Sequence, residues 1–196
     1  MENKIKDSGT KREFETGSHR DMAVGKGRMD LLPAISVIKV YDVVTDTEKG
    51  DNKLSYTAYL KEALVSAMHY MAGDNDKNYL AIAARAATIA TGLFESIDGD
   101  LDGNKVEGDN VDGYLAFGFK QVSMHYEAGA AKYGENNWQL GQPMHVLMDS
   151  GMRHMTKAIG NIIDEPHCRA SSWNMLSAIW MEKNKPEMQD IPSRKK

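Results

Sequence analysis

One cysteine, Cys168, stands among 196 residues, which excludes an internal disulfide and points to a reducing, cytoplasmic setting. Basic residues are not in excess either: 24 Lys and Arg face 28 Asp and Glu, a net charge of -4. The positive field that holds a polynucleotide backbone is missing, so no nucleic-acid partner is expected. Long apolar runs are absent as well. Tyr79–Ala84 and Ala86–Ala90 are separated by Arg85 and fall short of a bilayer span, so no membrane is expected. The opening MENKIKDSGTKREFE has charges with no apolar run behind them and reads as neither a secretory signal nor a targeting helix. What the chain does have is 41% hydrophobic residues, enough for one domain with a sizeable core.

The pattern of those residues is helical. Residues 1–29 are polar and glycine-containing, without a period, and read as an irregular basic arm. Leu31, Leu32, Ile35, Ile38, Val40, Tyr41 and Val44 then imply a buried helix over 31–44, and 46–53 a polar turn. Apolar residues at helical spacing over 56–71, and an Ala-rich run over 79–94, predict two helices joined as a hairpin, an insertion over 54–95. An acidic, glycine-punctuated loop follows over 96–113. Its DGDLDGNKVEGD resembles a calcium loop at Asp98, Asp100, Asp102 and Gly103. Lys105 replaces the apolar anchor and Asp109 the bidentate glutamate, so an ordinary Asp/Gly loop is the better reading. Helices over 114–133, after Pro143 and from Pro166 complete an all-α domain of about five to six helices spanning 30–183, with a polar tail over 184–196.

An internal parallel reads either as a duplicated hairpin or as the chance alignment of Ala-rich helices. Ser66–Met71 followed by the helix 79–95 parallels Ser150–Met155 followed by 167–182, and the copies end at Glu95 and Glu182. The second copy has His167, Trp173 and Asn174 where the first has Leu80, Ala86 and Ala87.

Ionisable residues gather in three places. In MHYEAGAAKYGENNW, Met124–Trp138, Glu127 lies mid-helix among residues that suggest burial, and a buried carboxylate needs a partner cation, an Arg or Lys side chain or a metal ion. Oxygen ligands suit Mg²⁺ or Mn²⁺ better than zinc. Asp149, Arg153 and Lys157 recur every four residues, either as an exposed ion-pair ladder or as a phosphate-binding face beside His154. Asp164 and Glu165 precede a helix start, as caps or as ligands, while His167 and Asn174 share one face of that helix. Asn137 can read a base edge, and Trp138 can wall a base or plug the core. Arg20, Lys26 and Arg28, set among glycines, suit a strap over a polyphosphate.

Taken in order, FETGSHRDMAVGKGRMDLLP, MHYEAGAAKYGENNW and DSGMRHM…DEPHCRASSWNML resemble the phage and bacterial dATP/dGTP diphosphohydrolases, placed among the MazG-like all-α nucleoside triphosphate pyrophosphohydrolases. The resemblance implies cleavage of a (deoxy)purine nucleoside triphosphate, dGTP, GTP or dATP, to monophosphate and pyrophosphate. It implies Mg²⁺ or Mn²⁺ on helix carboxylates, a homodimer or homotetramer, and the host's cytoplasm for a phage-encoded chain. The superfamily's Glu-Glu-x-x-Glu string is missing, and His167 and Ala170 stand where its Glu-x-x-Asp pair would be before Trp173. The candidate metal ligands are therefore Glu127, Asp149, Asp164 and Glu165, with Glu127, Asp149, Glu165 and His167 as the catalytic set. Lys132, Asn137, Trp138, Arg153, His154, Lys157, Asn174 and the arm cations are the nucleotide-binding set. The alternative is a non-catalytic nucleotide-binding or helical interaction protein.

Overall fold

Capping side chains decide where the helices begin. Ser55, Asn78 and Asn110 each accept the N–H three residues on, at Ala58, Ala81 and Gly113, which satisfies a donor the first turn leaves orphaned. The structure, a computed structural model, describes residues 11–21, 25–97, 106 and 108–195. Its α-helices are α1 (Ala34–Tyr41), α2 (Asp46–Lys49), α3 (Tyr56–Ala72), α4 (Tyr79–Glu95), α5 (Val111–Tyr133), α6 (Met144–Ile159) and α7 (His167–Asn184). All but the single-turn α2 pack as an all-α bundle, and among the described residues no helix is long and apolar enough to cross a membrane.

The expected helix over 31–44 is divided. Met29–Leu31 forms a 3-10 turn, Pro33 takes extended backbone, and α1 starts after it. Thr45 then opens α2 with a reciprocal capping box: its hydroxyl accepts the Glu48 N–H while the Glu48 carboxylate accepts the Thr45 N–H. The signal for this was the Thr-x-x-Glu spacing inside the segment read as a turn. Ile38 and Tyr41 within α1, and Val44 after it, are more than half exposed, although Leu31, Leu32 and Val40 are buried as expected.

The arm and tail also carry more structure than their composition indicates. Two short strands, β1 (Lys11–Glu13) and β2 (His19–Asp21), pair antiparallel around a turn in which Gly17 takes φ +78°. The tail returns to α3: Ile191 is buried, and the Arg194 guanidinium lies 3.9 Å over the Tyr70 ring. The Arg20 side chain, and residues 98–105 and 107 of the acidic loop with its calcium-like ligands, lie outside the described residues.

Two hairpins make the core. Helix α3 packs on α4 and α6 on α7, while α3 also meets α6 and α4 meets α7. Exchanging the hairpins leaves those pairings unchanged, the symmetry a duplicated unit requires. Helix α5 lies across α4 and α7. Its crossing with α4 is made by reciprocal glycines: a Cβ on Gly118 would stand 2.0 Å from the Thr88 carbonyl oxygen, and one on Gly92 1.9 Å from that of Tyr114. Backbone cannot yield as a flexible side chain does. Gly118→Ala is therefore expected to lower stability by about 2–3 kcal/mol, measured by urea unfolding, whereas Gly129→Ala on the same helix, where a Cβ meets nothing within 4 Å, should not lower it.

Candidate metal centre

The turn between α6 and α7 folds two histidines and a glutamate onto one point. His154, one turn before the end of α6, and His167, the first residue of α7, are both buried, with their Nδ1 atoms 2.9 Å apart. The Glu165 Oε1 lies 3.6 Å from the His154 Nδ1 and 3.5 Å from that of His167. A point equidistant from the three atoms lies roughly 2 Å from each, the length of a transition-metal bond to imidazole nitrogen or carboxylate oxygen. The three residues can hold a metal ion.

Their surroundings prepare them for it. The Asp164 Oδ1 lies 2.5 Å from the His167 Nε2, and Asp164 also accepts from the Lys157 ammonium at 2.9 Å. Lys157 first and His167 next hold the Asp164 carboxyl below its usual range. An ionised Asp164 can only accept, so His167 carries its proton on Nε2 and turns a bare Nδ1 lone pair inward. Burial lowers the His154 pKa, against the opposing pull of Glu165, and His167, Arg153 and Lys157 lower it further. A neutral imidazole is the ligating form.

Beside this cluster opens a cavity of about 400 Å³. Helix α5 contributes His125, Tyr126, Lys132 and Tyr133 to it; the loop after Gly134 contributes Asn136, Asn137 and Trp138; α6 contributes Ser150 and His154; α7 contributes Trp173 and Asn174. Trp138 is buried and packs edge-on against Tyr126, Trp173 and Trp180 at 5.8, 6.3 and 5.0 Å, so it serves the core while one side reaches the cavity. Asn174 is buried and gives its amide N–H to Ala170 O, leaving its Oδ1 without a partner of its own among the described residues.

Lys132, Asn137, Trp138, His154, Glu165 and Asn174 are thus brought together, with His167 in the metal cluster and Asp164 and Lys157 supporting it. Others are not. Asp149 and Arg153 form an exposed pair at 3.7 Å, and the ladder reading holds for them. The Glu127 carboxylate accepts the N–H groups of Gly25 and Gly27 at 3.2 and 3.1 Å, so its partner is arm backbone rather than the cluster. Arg28 is spent on Asp30 and Glu135, and Lys26 is exposed and does not line the cavity. His125, Trp173 and Arg169 were absent from the expected site; the first two carried a signal, as rings on the apolar faces of helices whose other faces bear the named residues.

With this geometry in view, the comparison with known families is decisive for one segment. Residues 102–191 match the family model described as dATP/dGTP diphosphohydrolase, N-terminal. That segment is similar to the family's N-terminal domain. It contains all three members of the metal cluster and, Leu31 apart, the whole cavity lining, while the arm and α1–α4 lie outside it. No curated protein and no solved structure gives a significant match.

Burial of two histidines sets a pH dependence. His125, like His154, is held below the ordinary 6.5 by burial first, then by His154 and Arg169. At pH above about 6.5 both are neutral folded or unfolded; as pH falls, the unfolded chain takes up protons first and the fold loses stability. The metal-free protein should lose melting temperature steadily from about pH 7 to about pH 5, above the range where carboxylates titrate. His125→Gln should flatten that slope, and a wild-type profile flat over this window would show that neither histidine is buried neutral.

Proposed function

We propose that the chain hydrolyses a (deoxy)purine nucleoside triphosphate to its monophosphate and pyrophosphate, with the metal ion held by His154, Glu165 and His167. The observation that supports this most is the convergence of two Nδ1 atoms and one carboxylate oxygen beside an aromatic and amide-lined cavity, within the segment matching the diphosphohydrolase family. Two nitrogens and one oxygen favour Mn²⁺ over Mg²⁺, since magnesium selects oxygen ligands. When bound, the ion supplies Lewis acidity toward a phosphate oxygen and a water of lowered pKa.

The chain's own groups do the rest. Trp173 and His125 present ring faces to a base, and Asn137 and Asn174 offer amides to its edge. Lys132 at the cavity, with Lys157 on the adjoining helix, offsets the charge of the phosphates. Asp164 holds the His167 ring through Nε2, so a displaced ring would loosen the ion. In the reaction a water oxygen bonds to the α-phosphorus, the bond from that phosphorus to the bridging oxygen breaks, and pyrophosphate leaves with the bridging oxygen.

Incubation of the protein with each ribo- and deoxyribonucleoside triphosphate plus Mn²⁺ or Mg²⁺, with products resolved by ion exchange, tests the activity. Equal amounts of monophosphate and pyrophosphate are expected from purine nucleotides; orthophosphate alone, or no turnover, would overturn it. Glu165→Gln and His167→Gln should abolish Mn²⁺ binding followed by electron paramagnetic resonance, and Asp164→Asn should weaken it about 10- to 100-fold. Asp149→Asn and Glu127→Gln should leave it unchanged.

A further inference from the structure

A second cavity, of about 390 Å³, opens on the other side of the metal cluster. Glu165 lines both cavities, so the two meet at the cluster. The second one is lined by His167, Arg169 and Glu95, with Phe94, Ile162 and Ile163 around them. Arg169 is built in from three elements. Its Nε and Nη2 donate to the two oxygens of Glu95, both at 2.8 Å, and Nη2 donates also to the Gln121 Oε1 at 2.9 Å. Glu95 ends α4 of the inserted hairpin, and Gln121 is a buried residue of α5.

A carboxylate taken on the Nε–Nη2 edge leaves the Nη1 end of the planar guanidinium pointing away from it. Nη1 makes no hydrogen bond among the described residues, and neither do the backbone N–H groups of Cys168 and Arg169 in the first turn of α7. Gln121 does not itself line the cavity; its Oε1 serves to hold Arg169 in place. The Arg169 Nη1 and the two backbone N–H groups belong to residues that do line it, next to the metal cluster, where an anion with many acceptor oxygens would answer them. The guanidinium is also already fixed, so a ligand need not order it.

We propose that this second cavity is the pyrophosphate subsite, with Arg169 contacting the β- and γ-phosphates and Glu95 positioning it. The proposal rests on the hydrolase reading above and adds the direction of the substrate: nucleoside in the aromatic cavity, α-phosphate at the cluster, leaving group beyond Glu165. It gives the inserted hairpin a part in the site, since Glu95 lies outside the segment that matches the diphosphohydrolase family.

Calorimetric titration of the whole chain with magnesium pyrophosphate, and separately with a purine nucleoside monophosphate, tests this. Arg169→Ala is expected to weaken pyrophosphate binding about tenfold or more while changing monophosphate binding less than about twofold. Arg169→Lys, which keeps the charge but loses the fork, should show the same selectivity if the alanine variant fails to fold, and Glu95→Gln should show it to a smaller degree. Unchanged pyrophosphate affinity in a folded Arg169 variant, equal loss of both ligands, or no pyrophosphate binding by the wild type would each overturn the subsite. A wild type that binds pyrophosphate through Arg169 yet turns over no triphosphate would remove the activity and leave the subsite standing.

Discussion

The contact on which the site depends is the close approach of α6 to α7 at Gly151. A Cβ there would stand 3.1 Å from the Asn174 Cβ and 2.4 Å from the end of Met175, so a side chain at this position would have to displace Met175 and press on Asn174. One turn along α6, the same approach brings His154 against His167 with ring centroids 5.2 Å apart. A wider spacing would leave each imidazole in its own helix surface, and Glu165 could not reach both. Packing here is not background to the chemistry. It sets the distance between the nitrogens.

The internal symmetry shows what the first hairpin does instead. Under the sequence parallel, Tyr70 stands where the second copy has His154, and Leu80 where it has His167. Leu80 is core, and the Tyr70 hydroxyl donates to Glu182 and accepts from Gln189. Glu182 lies in the last turn of α7 and Glu95 ends α4, and each reaches across to the other hairpin, one to Tyr70 and one to Arg169. The first hairpin's buried charge, Arg85, is closed off by both oxygens of Glu48 at 2.7 and 2.5 Å and by the Val40 carbonyl. Breaking such a buried pair is costly, so it holds α2 to α4. The first hairpin's buried arginine is thus closed off by a carboxylate and a carbonyl from α2 and α1, whereas the second hairpin's histidines face a carboxylate and one another.

Much of the fold was legible because period and caps agree locally. The runs over 56–71 and 79–94 became α3 and α4 with little change of boundary. The misses have local causes. The 3-10 turn at Met29–Leu31 and the extended Pro33 divided a helix that hydrophobic spacing alone had joined, the capping box at Thr45 and Glu48 made a helical turn of a segment read as polar turn, and the hairpin around Gly17 hid inside a polar stretch with no apolar alternation to announce it. For the site, His154, Asp164, Glu165 and His167 were all named, but in separate groups. Spacing along one helix cannot show that the turn at Gly160 folds α7 back on α6. Arg169 and Glu95 are 74 residues apart, a separation over which no periodicity carries information.

Glu127 shows how a sound premise can reach the wrong partner. A half-buried carboxylate does need compensation, and a cation is the usual source. Here two backbone N–H groups supply it, made available because Gly25 and Gly27 take φ of +77° and +85° and so turn their amides toward one acceptor. These two arm amides are therefore already committed to a carboxylate rather than free for phosphate. Gly27 also fits only because it lacks a side chain, since a Cβ would lie 2.2 Å from the Ser123 hydroxyl oxygen and 3.1 Å from the Lys120 carbonyl. Docked this way along α5, the arm ends in the 3-10 turn that places Leu31 in the wall of the first cavity. The arm's contribution at that wall is apolar shape, delivered by an acid–amide contact made on another face of the same helix.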